Sequence, residues 1–437
     1  MNLSSTDWIK NNSPIGIFGG GVSGVAISRL IKRLGGESVI YDERSEDPER
    51  AVFTHEQAAK HSLIVNSPGF PPSHQWFLTA KEAGCMVLGE IEFASKSWEG
   101  QIYLVTGTNG KSTITQLLTE VLLNLGIEAR AYGNIGIPFS EHYKYGGGSD
   151  SVAVIEVSSF QAWNFDSLRA DGIIWSNFAE DHLDWHGSMP AYFDAKWNAL
   201  CQVNDGPIVM GSGVLEHAKA FEKEMPMVAG LVKEHLYDAK GNPNLSAVNR
   251  LNVQYVKSFI EQLGFDETKV DEVVSKFPFL PHRLEFVGSY AGVRFWNDSK
   301  ATNFHAVEAA LDSFYEPVIW IGGGLEKGAN LDEFVARIAP SIKVAVVFGE
   351  VSEKLNSQLT EEGVVTYLVD DLDQAMQVLK IESHPGSNVV LSPGFASFDQ
   401  FKGYADRGHQ FVESVHKHFA FHTQHNPTHI NYQHTKS

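Results

Sequence analysis

The sequence predicts an α/β protein of three domains, and three observations support this fold class. Short apolar runs typical of strands alternate with helical periodicities through most of the 437 residues. Two glycine-rich loops each connect such a strand to a helix, and a third stretch repeats the alternation nearer the C-terminus. Strands separated by helices form parallel sheets that the helices cover. We therefore expect domains at residues 1–95, 96–279 and 280–437.

The first predicted domain opens with a strand, a glycine loop and a helix. The apolar run "IGIF" leads into Gly19, Gly21 and Gly24, which fit the pattern G-x-G-x-x-G, and Asp42 follows the next strand. In such a setting the N–H groups at the start of the helix face a phosphate group. The pattern is typical of dinucleotide sites such as those for NAD, although the same geometry binds other pyrophosphates.

The second predicted domain opens with another loop of the phosphate-binding kind. The run "QIYLV" is followed by "GTNGKS", Gly107 to Ser112, and by a helix with apolar residues at helical spacing. The loop is shorter than the usual G-x-x-x-x-G-K-[ST], because Val105 stands where the first glycine would be. A plain turn before a helix is the alternative, but the flanks favour a phosphate site, with Lys111 as a positive charge and Ser112 as a hydroxyl for Mg²⁺.

Further groups suited to chemistry follow in the second domain. Glu156 ends the apolar run "SVAVIEV", where a carboxylate is costly unless it is paired, binds a cation or reaches solvent. The stretch "NFAEDHLDWHGS" is either part of a metal site or an ordinary polar loop, and it contains Asp181, His182, Asp184 and His186. Lys196, in "AYFDAKWNAL", is by default a solvated helix lysine.

The third predicted domain continues the alternation through "LPHRLEFVG", "VIWIGGG", "KVAVVFGE", "VTYLVDD" and "NVVLSPG". Polar side chains follow these strands or the glycine-rich turn: Asp298, Lys300, Thr302, Lys327, Ser392, Ser397 and Lys402. Each group alone is compatible with a capped loop, but together they indicate a ligand site at the carboxyl ends of strands. The histidine-rich segment from His416 lacks periodicity, and we expect a frayed end there rather than a metal site.

Composition and charge limit the kinds of partner. The formal net charge of −19 opposes a nucleic acid, whose binding needs a basic surface. The two cysteines, Cys85 and Cys201, lack zinc-site spacing and favour a reducing compartment. The sequence has no apolar run long enough to span a bilayer, and the start "MNLSSTDWIKNNSP" lacks a signal pattern. We expect a cytoplasmic monomer that acts on small molecules.

Several of these motifs together resemble the Mur ligase family, over nearly the whole chain. The family-wide signals are "GTNGKST", "GNIG" (133–136), "EVSSFQ" (156–161), "NFAEDHLDWHGS" and the pair Ala195 and Lys196. The motif "NDSKATN" (297–303) is similar to that of the members that add D-glutamate, and "PHRLE" and "SPGFASFDQF" support that choice. The resemblance implies a Rossmann-like N-terminal domain, a central P-loop ATPase-type domain and a Rossmann-like C-terminal domain.

The resemblance also implies an activity. ATP would phosphorylate UDP-N-acetylmuramoyl-L-alanine, and D-glutamate would displace phosphate from the acyl phosphate, in a cytoplasmic step of peptidoglycan synthesis. Implied contacts to the UDP substrate are Gly21, Val22, Ser23, Asp42, Arg44, Asn134, Ser159 and Gln161. Implied contacts to ATP are Gly107, Thr108, Asn109, Gly110, Lys111, Ser112, Thr113, Arg283 and Asp298. Implied contacts to D-glutamate are Lys300, Thr302, Lys327, Ser397 and Tyr404.

Mg²⁺ is the implied cofactor beside ATP. Its implied ligands are Ser112, Glu156, His182 and a carbamylated Lys196, and the implied catalytic residues are Lys111, Glu156, His182 and Lys196. The family's usual G-x-H-N-x-x-N-A is "GNPNLSAV" here, so Pro243 replaces the histidine and Ala247 the second asparagine. Asn244 remains, and Asn249 is a candidate to replace the adenine contact that these departures put in question. Tyr404 stands where the family has phenylalanine, so its hydroxyl either reaches the ligand or faces water.

Three other functions account for fewer of these sequence features. A dehydrogenase would account for the first glycine loop alone. A nucleotide sensor without chemistry would lack ATPase residues that this chain has. A folylpolyglutamate-type ligase shares the central domain, but neither the uridine-nucleotide loop nor "NDSKATN" is expected in it.

Overall fold

The structure, a computed structural model, describes residues 4–225, 229–231, 237, 245–325 and 330–420. The described residues divide into two compact units: Met1–Asn242 with Asn249–Phe277, and Pro243–Val248 with Pro278–Ser437. Over the same residues the strands form three sheets flanked by helices, so the predicted α/β class is confirmed. The domain boundaries stay predictions. Among the described helices, none has the length and apolar character needed to cross a bilayer.

The first sheet is parallel. Its strands are β1 (Ile15–Phe18), β2 (Ser38–Tyr41), β3 (Leu63–Asn66) and β4 (Met86–Gly89). The helices of this segment are α1 (Ser5–Asn11), α2 (Val22–Arg33), α3 (His55–Ala58), α4 (Gln75–Glu82) and α5 (Glu90–Ser95). The strand order is β2–β1–β3–β4. Strands β1 and β3 are buried at every residue, as expected where helices cover both faces of a parallel sheet.

The central sheet is also parallel. Its strands are β5 (Gln101–Thr106), β6 (Ala129–Gly133), β7 (Val152–Glu156), β8 (Gly172–Trp175), β9 (Ile208–Met210) and β10 (Ala229–Leu231). The helices are α6 (Lys111–Asn124), α7 (Ser159–Ala162), α8 (Leu183–His186), α9 (Met189–Cys201), α10 (Ser212–Ala220), α11 (Ala247–Gln262) and α12 (Thr268–Val274), with a 3₁₀ helix at Phe139–Lys144. The strand order is β10–β9–β8–β5–β7–β6.

This strand order places the phosphate-type loop at a point where the connections diverge. Strand β5 lies between β7 and β8, and Val105 in β5 pairs with Glu156 in β7. The residues that follow β5 and β8 therefore emerge beside Glu156 at the same edge of the sheet. Ligands of open α/β sheets bind at the carboxyl edge at such a point.

The first and central sheets share one hydrophobic core. The same buried cluster contains residues of both sheets: Ile17, Leu63, Leu104 and Ile155. Helix α5 is also fixed by a buried carboxylate, because Glu92 accepts a hydrogen bond from the backbone N–H of Ser167 at 2.7 Å. These contacts explain why the two sheets belong to one compact unit.

The third sheet combines an antiparallel hairpin with parallel strands. Its strands are β11 (Glu285–Tyr290), β12 (Val293–Asn297), β13 (Val318–Gly323), β14 (Ile342–Phe348), β15 (Val365–Leu368) and β16 (Asn388–Leu391), in the order β11–β12–β16–β13–β14–β15. Its helices are α13 (Phe304–Leu311), α14 (Leu331–Ile338), α15 (Ser352–Glu361), α16 (Leu372–Glu382) and α17 (Tyr404–Phe419), with a 3₁₀ helix at Ala339–Ser341. Strands β11 and β12 are antiparallel, and the other pairs are parallel.

The prediction of a frayed end from His416 is wrong for its first residues. Helix α17 continues to Phe419, and Lys417 and His418 both contact the carboxylate of Asp373. Phe419 continues the spacing of Phe411 and Val415 and packs against the core of the third sheet, so apolar contacts also hold the end of this helix. Residues 421–437 lie outside the described residues.

Candidate active site

The loop after β5 has a backbone that requires glycine at two positions. Gly107 and Gly110 have φ angles of 146° and 85°. A Cβ at Gly107 would lie 2.1 Å from Oγ of Ser176, and one at Gly110 would lie 2.6 Å from Oδ1 of Asn252. Gly110 caps helix α6 without a side-chain hydrogen bond, and the N-terminus of a helix is suited to bind an anion.

Residues after β8 brace this loop. Oδ1 of Asn177 accepts hydrogen bonds from the N–H groups of Thr108 at 3.1 Å and Asn109 at 2.9 Å. The carbonyl of Asn109 accepts from Nδ2 of Asn177 at 3.1 Å and from Oγ of Ser176 at 2.7 Å. Sequence reasoning missed both bracing residues. Their position directly after the strand "GIIW" was the available signal.

Lys111 lies over the loop that it follows. Its Nζ donates to the carbonyl oxygens of Gly107 at 2.9 Å and Thr108 at 2.8 Å. The predicted contacts Ser112 and Thr113 come next, in the first turn of α6, and Thr113 is buried. Its Oγ1 has no hydrogen-bond partner among the described residues. The predicted ATP-binding residues of this loop are therefore brought together.

Glu156 is buried rather than solvated. Its relative exposure is 1%, so the alternative that it reaches solvent at the strand end is wrong. Oε1 accepts a hydrogen bond from Nδ2 of Asn134 at 2.9 Å, whereas Oε2 is buried without a partner in the part of the chain that the structure describes. A buried carboxylate oxygen without a partner is costly unless a cation completes it.

Lys196 is buried as well, although sequence reasoning gave it a solvated place by default. Its relative exposure is 1%, and Nζ donates to the carbonyl of Gly107 at 2.8 Å. Burial lowers the pKa of Lys196 well below its usual range, the charge of Lys111 acts in the same direction, and Asp181 and Glu156 oppose them. The side chain therefore favours the neutral amine.

His182 occupies a strained position. It has φ 55° and ψ 29°, the left-handed region, which costs a non-glycine residue about 1 kcal/mol. Burial lowers the pKa of His182, Asp181 opposes this shift, and the charges of Lys111 and Lys196 add to it. These effects favour the neutral imidazole, which is the form that binds metals.

The predicted magnesium ligands do not include three of the side-chain types that most often form a metal site. Over the described residues, no group of three or more His, Cys, Asp or Glu side chains is arranged to hold a metal ion. The predicted set contains only Glu156 and His182 of these types, and Ser112 and Lys196 complete it. The unpartnered oxygen of Glu156 is compatible with a cation site here.

The predicted substrate residues of α7 are held by local contacts. Oγ of Ser159 lies 2.9 Å from Nε2 of His186, whose ring stacks on Phe160. Burial lowers the pKa of His186 to about 4. Oε1 of Gln161 accepts from the N–H of Ser158 at 2.9 Å as part of a capping box. The pairing of Ser159 with His186 was not predicted.

The first glycine loop requires glycine at position 24. A Cβ at Gly24 would lie 1.8 Å from the carbonyl oxygen of Gly19. The carboxylate of Asp42 accepts from the N–H of Gly20 at 2.6 Å and from that of Arg44 at 2.9 Å. These two bonds lower the pKa of Asp42. Asp42 therefore fixes the loop itself.

The predicted UDP contacts of this loop lie at the start of α2. Gly21 is the N-cap without a side-chain hydrogen bond, and Val22 is 73% exposed. Ser23 follows in the first turn of α2, and the side chain of Arg44 is exposed. Gly21, Val22 and Ser23 thus lie at a helix N-terminus, whose N–H groups are suited to an anion.

In the second unit, Asp298 is buried with both oxygens bonded. Oδ1 accepts from the N–H of Leu284 at 3.0 Å, and Oδ2 accepts from Oγ of Ser392 at 2.8 Å. Burial raises the pKa of Asp298 to about 7, and the nearby positive charge of Arg283 opposes this. Asp298 thus joins the ends of β12 and β16.

The predicted D-glutamate residues follow the same strand ends. Nζ of Lys300 lies 4.0 Å from the ring centroid of Tyr404, a cation–π distance. Ser397 is buried and Thr302 is half-buried. Lys327 lies outside the described residues.

The segment with the family departures is only partly described. Pro243 and Asn244 lie outside the described residues, whereas Ala247 begins helix α11. Asn249 and Asn252 are buried in the same helix, and Oδ1 of Asn252 faces Gly110. Asn252 is a neighbour of the phosphate loop that sequence reasoning missed.

Comparisons with known proteins agree with this geometry. A family model described as Mur ligase middle domain matches residues 105–226, and one described as Mur ligase, glutamate ligase domain matches residues 282–395. The UDP-N-acetylmuramoylalanine–D-glutamate ligase of Aquifex aeolicus is 32% identical over 411 residues, which cover 91% of this chain and 97% of the relative. The ligase of that name from Leuconostoc mesenteroides is 28% identical over 447 residues, covering 94% and 99%.

Solved structures share the fold at lower identity. MurF ligase from Thermotoga maritima in complex with ADP has a TM-score of 0.57 at 15% identity and covers 85% of this chain and 98% of its own. A pseudomurein peptide ligase type C from Methanothermus fervidus has a TM-score of 0.56 at 13% identity, covering 92% and 99%. At these identities the similarity concerns the fold.

Proposed function

The chain belongs to the Mur ligase family, and we propose from this membership that it joins D-glutamate to UDP-N-acetylmuramoyl-L-alanine in peptidoglycan synthesis, driven by ATP. The observation that carries the proposal is the match to D-glutamate ligases over nearly the full length of both chains. The reaction forms a peptide bond between an acid and a D-amino acid and releases ADP and phosphate.

Two steps make the bond. A carboxylate oxygen of the substrate's L-alanine attacks the γ-phosphorus of ATP, and the bond to the β,γ-bridging oxygen breaks, which leaves an acyl phosphate and ADP. The amine of D-glutamate then attacks the acyl carbon, loses a proton, and the tetrahedral intermediate expels phosphate with its electron pair. Positioning and charge neutralisation supply most of the catalysis in phosphoryl transfer.

The loop after β5 is proposed to hold the ATP phosphates. Gly107 to Gly110 supply a rigid turn, the start of α6 supplies N–H groups, and Lys111 supplies the positive charge. Asn177 fixes this geometry before ATP binds, so little reorganisation is needed. Arg283 and Asp298 are proposed as further ATP contacts on the strength of the family resemblance.

Ser112, Glu156, His182 and a carbamylated Lys196 are proposed to hold Mg²⁺. The neutral amine of Lys196 adds to CO₂, which forms an N–C bond, releases one proton and converts a cation site into an anion with oxygen donors. Burial supports this step because it favours the neutral amine. Mg²⁺ prefers oxygen ligands, and when bound it would neutralise charge on the phosphoryl oxygens.

The first glycine loop is proposed to bind the uridine nucleotide rather than NAD. The similarity to UDP-N-acetylmuramoylalanine–D-glutamate ligases over nearly the full length supports a uridine nucleotide here, and Asp42 holds the loop in shape through two backbone N–H groups. Asn134, Ser159 and Gln161 are proposed to line the muramoyl part. Saturable NADH binding at about micromolar levels, undisturbed by UDP-N-acetylmuramoyl-L-alanine, would count against this assignment.

D-Glutamate is proposed to bind in the second unit, because its two carboxylates need cationic and hydroxyl partners. The residues proposed for this are Lys300, Thr302, Lys327, Ser397 and Tyr404. We also propose that the protein is a cytoplasmic monomer.

The test is phosphate release by the purified protein with ATP, Mg²⁺ and UDP-N-acetylmuramoyl-L-alanine against separate D- and L-amino acids. We expect rapid turnover with D-glutamate alone. A Lys111→Ala variant, which lacks the loop's positive charge, serves as the blank for contaminating phosphatases. Turnover with L-lysine or meso-diaminopimelate instead of D-glutamate would contradict the assignment.

A further inference from the structure

We propose that Arg407 is a positioning residue for the amino-acid substrate, because its buried guanidinium joins the loops that carry Lys300 and Ser397. The inference rests on the proposed D-glutamate activity and concerns a residue outside the predicted site. Arg407 lies in the first turns of helix α17, beneath the carboxyl edge of the third sheet.

The guanidinium bonds to three strand ends. Nε donates to Oγ of Ser299 at 3.0 Å, and Nη2 donates to the carbonyl of Ser299 at 2.9 Å. Nη2 also donates to the carbonyl of Phe395 at 3.1 Å, and Nη1 to that of Gly323 at 3.4 Å. Ser299 follows β12, Phe395 follows β16 and Gly323 ends β13. These three strands are neighbours in the sheet. One planar group therefore fixes three loops.

Helix stability does not explain an arginine at this position. Arg407 is 0% exposed, and the four hydrogen bonds of its guanidinium go to hydroxyl and carbonyl oxygens within the described residues. A cation near the start of a helix is opposed by the helix dipole. Burial lowers the pKa of Arg407 to about 10, partly offset by Asp399 and Asp298, so the side chain stays charged at neutral pH. Burying a charge is costly in free energy, but the five N–H donors of a guanidinium are suited to holding several backbone carbonyl groups in place.

The joined loops carry the proposed D-glutamate partners. Ser299 directly precedes Lys300, and its Oγ donates to the carbonyl of Tyr404 at 2.8 Å. Phe395 lies two residues before Ser397. A small displacement of these loops would misplace a cation and a hydroxyl that the second step needs, and such misplacements are expensive in rate. Asp298, the proposed ATP contact in the loop after β12, is fixed by its own bonds to Leu284 and Ser392. The first step, which precedes D-glutamate, should therefore be spared.

The experiment compares Arg407→Met, Arg407→Lys and the control Arg337→Met. Arg337 is a half-exposed arginine of the same unit, bonded to Glu308 on the surface. For each variant, the KM values for D-glutamate, ATP and UDP-N-acetylmuramoyl-L-alanine are measured. The acyl phosphate is trapped with hydroxylamine in the absence of D-glutamate, and thermal unfolding is followed by circular dichroism.

We expect Arg407→Met to raise the KM for D-glutamate about 30-fold or more, with the other KM values and hydroxamate formation within about threefold of wild type. Arg407→Lys should recover part of the loss, and Arg337→Met should match wild type. If Arg407→Met does not fold, Arg407→Lys decides the matter by its KM for D-glutamate. An unchanged KM for D-glutamate, or equal losses in both half-reactions, would overturn the inference. Failure of wild type to use D-glutamate would instead reject the proposed function.

Discussion

The carboxyl edges of the central and third sheets differ in how far their buried charged side chains are hydrogen-bonded. At the central edge, one oxygen of Glu156 has no partner among the described residues, and Lys196 is desolvated toward its neutral form. At the third edge, Asp298 has both oxygens bonded, and Arg407 makes four hydrogen bonds within the described residues. A buried oxygen without a hydrogen-bond partner, as in Glu156, is suited to bind a ligand. A fully bonded side chain, as in Arg407, holds the backbone in place. Substitutions at the first edge should remove activity, and those at the second should change geometry or stability.

The largest expected effect is at Lys196. We expect Lys196→Ala to lose activity by about a thousandfold, because it removes the carbamate and its oxygen donors. Binding of UDP-N-acetylmuramoyl-L-alanine should be kept, since the first glycine loop is unchanged. Arginine here should be no better, because it keeps a cation and does not form the carbamate. Calorimetric titration and phosphate release measure the two properties.

The matched control for Lys196 is Lys219→Ala, an exposed lysine on helix α10. It should turn over like wild type. Near-normal turnover by Lys196→Ala or Lys196→Arg would contradict this prediction, because it would show that the buried lysine has no part in the chemistry.

Glu156→Gln should separate activity from stability. The amide keeps the shape and the oxygen that Asn134 contacts but removes the negative charge, so we expect about a hundredfold loss of activity. The free energy of unfolding should stay within about 1 kcal/mol of wild type, because the lost charge had no full set of partners. Urea unfolding and phosphate release check this. A large loss of stability with normal turnover would assign Glu156 to the framework.

Asp298→Asn should change how stability depends on pH. Burial raises the pKa of Asp298 from 3.8 to about 7, so the folded protein keeps a proton that the unfolded chain releases. This stabilisation is fully present below about pH 4 and is lost as the pH rises through about 7. Relative to the variant, which does not titrate there, wild type should lose free energy of unfolding between about pH 4 and pH 7. Parallel profiles in urea titrations would show that Asp298 is ionised throughout.

The smallest effect is expected at Tyr404. Tyr404→Phe keeps the ring that Lys300 approaches at 4.0 Å and removes only the hydroxyl. If that hydroxyl faces water, the KM for D-glutamate should stay within about twofold of wild type. A tenfold rise, seen in steady-state kinetics, would place the hydroxyl on the ligand.

The sequence predicted the parts of this comparison that depend on local pattern. Alternating strands and helices gave the α/β class, and the glycine loop with Lys111 lies at the start of a helix as expected. The burial of Lys196 was not predictable, because it depends on a carbonyl 89 residues away in the chain. Arg407 was missed for the same reason, since its acceptors come from three separate strand ends. Local pattern predicts elements, whereas buried polar networks depend on the assembled sheet.

The central claim is that this chain makes a peptide bond to D-glutamate with ATP. The most direct measurement offers the enzyme ATP, Mg²⁺ and UDP-N-acetylmuramoyl-L-alanine with an equimolar mixture of D-glutamate, L-glutamate, L-lysine and meso-diaminopimelate, and identifies the nucleotide product by mass spectrometry and chiral hydrolysis. We expect a single product that carries D-glutamate, formed with one phosphate per peptide bond. Phosphate release without a peptide product, or a product that carries another amino acid, would contradict it.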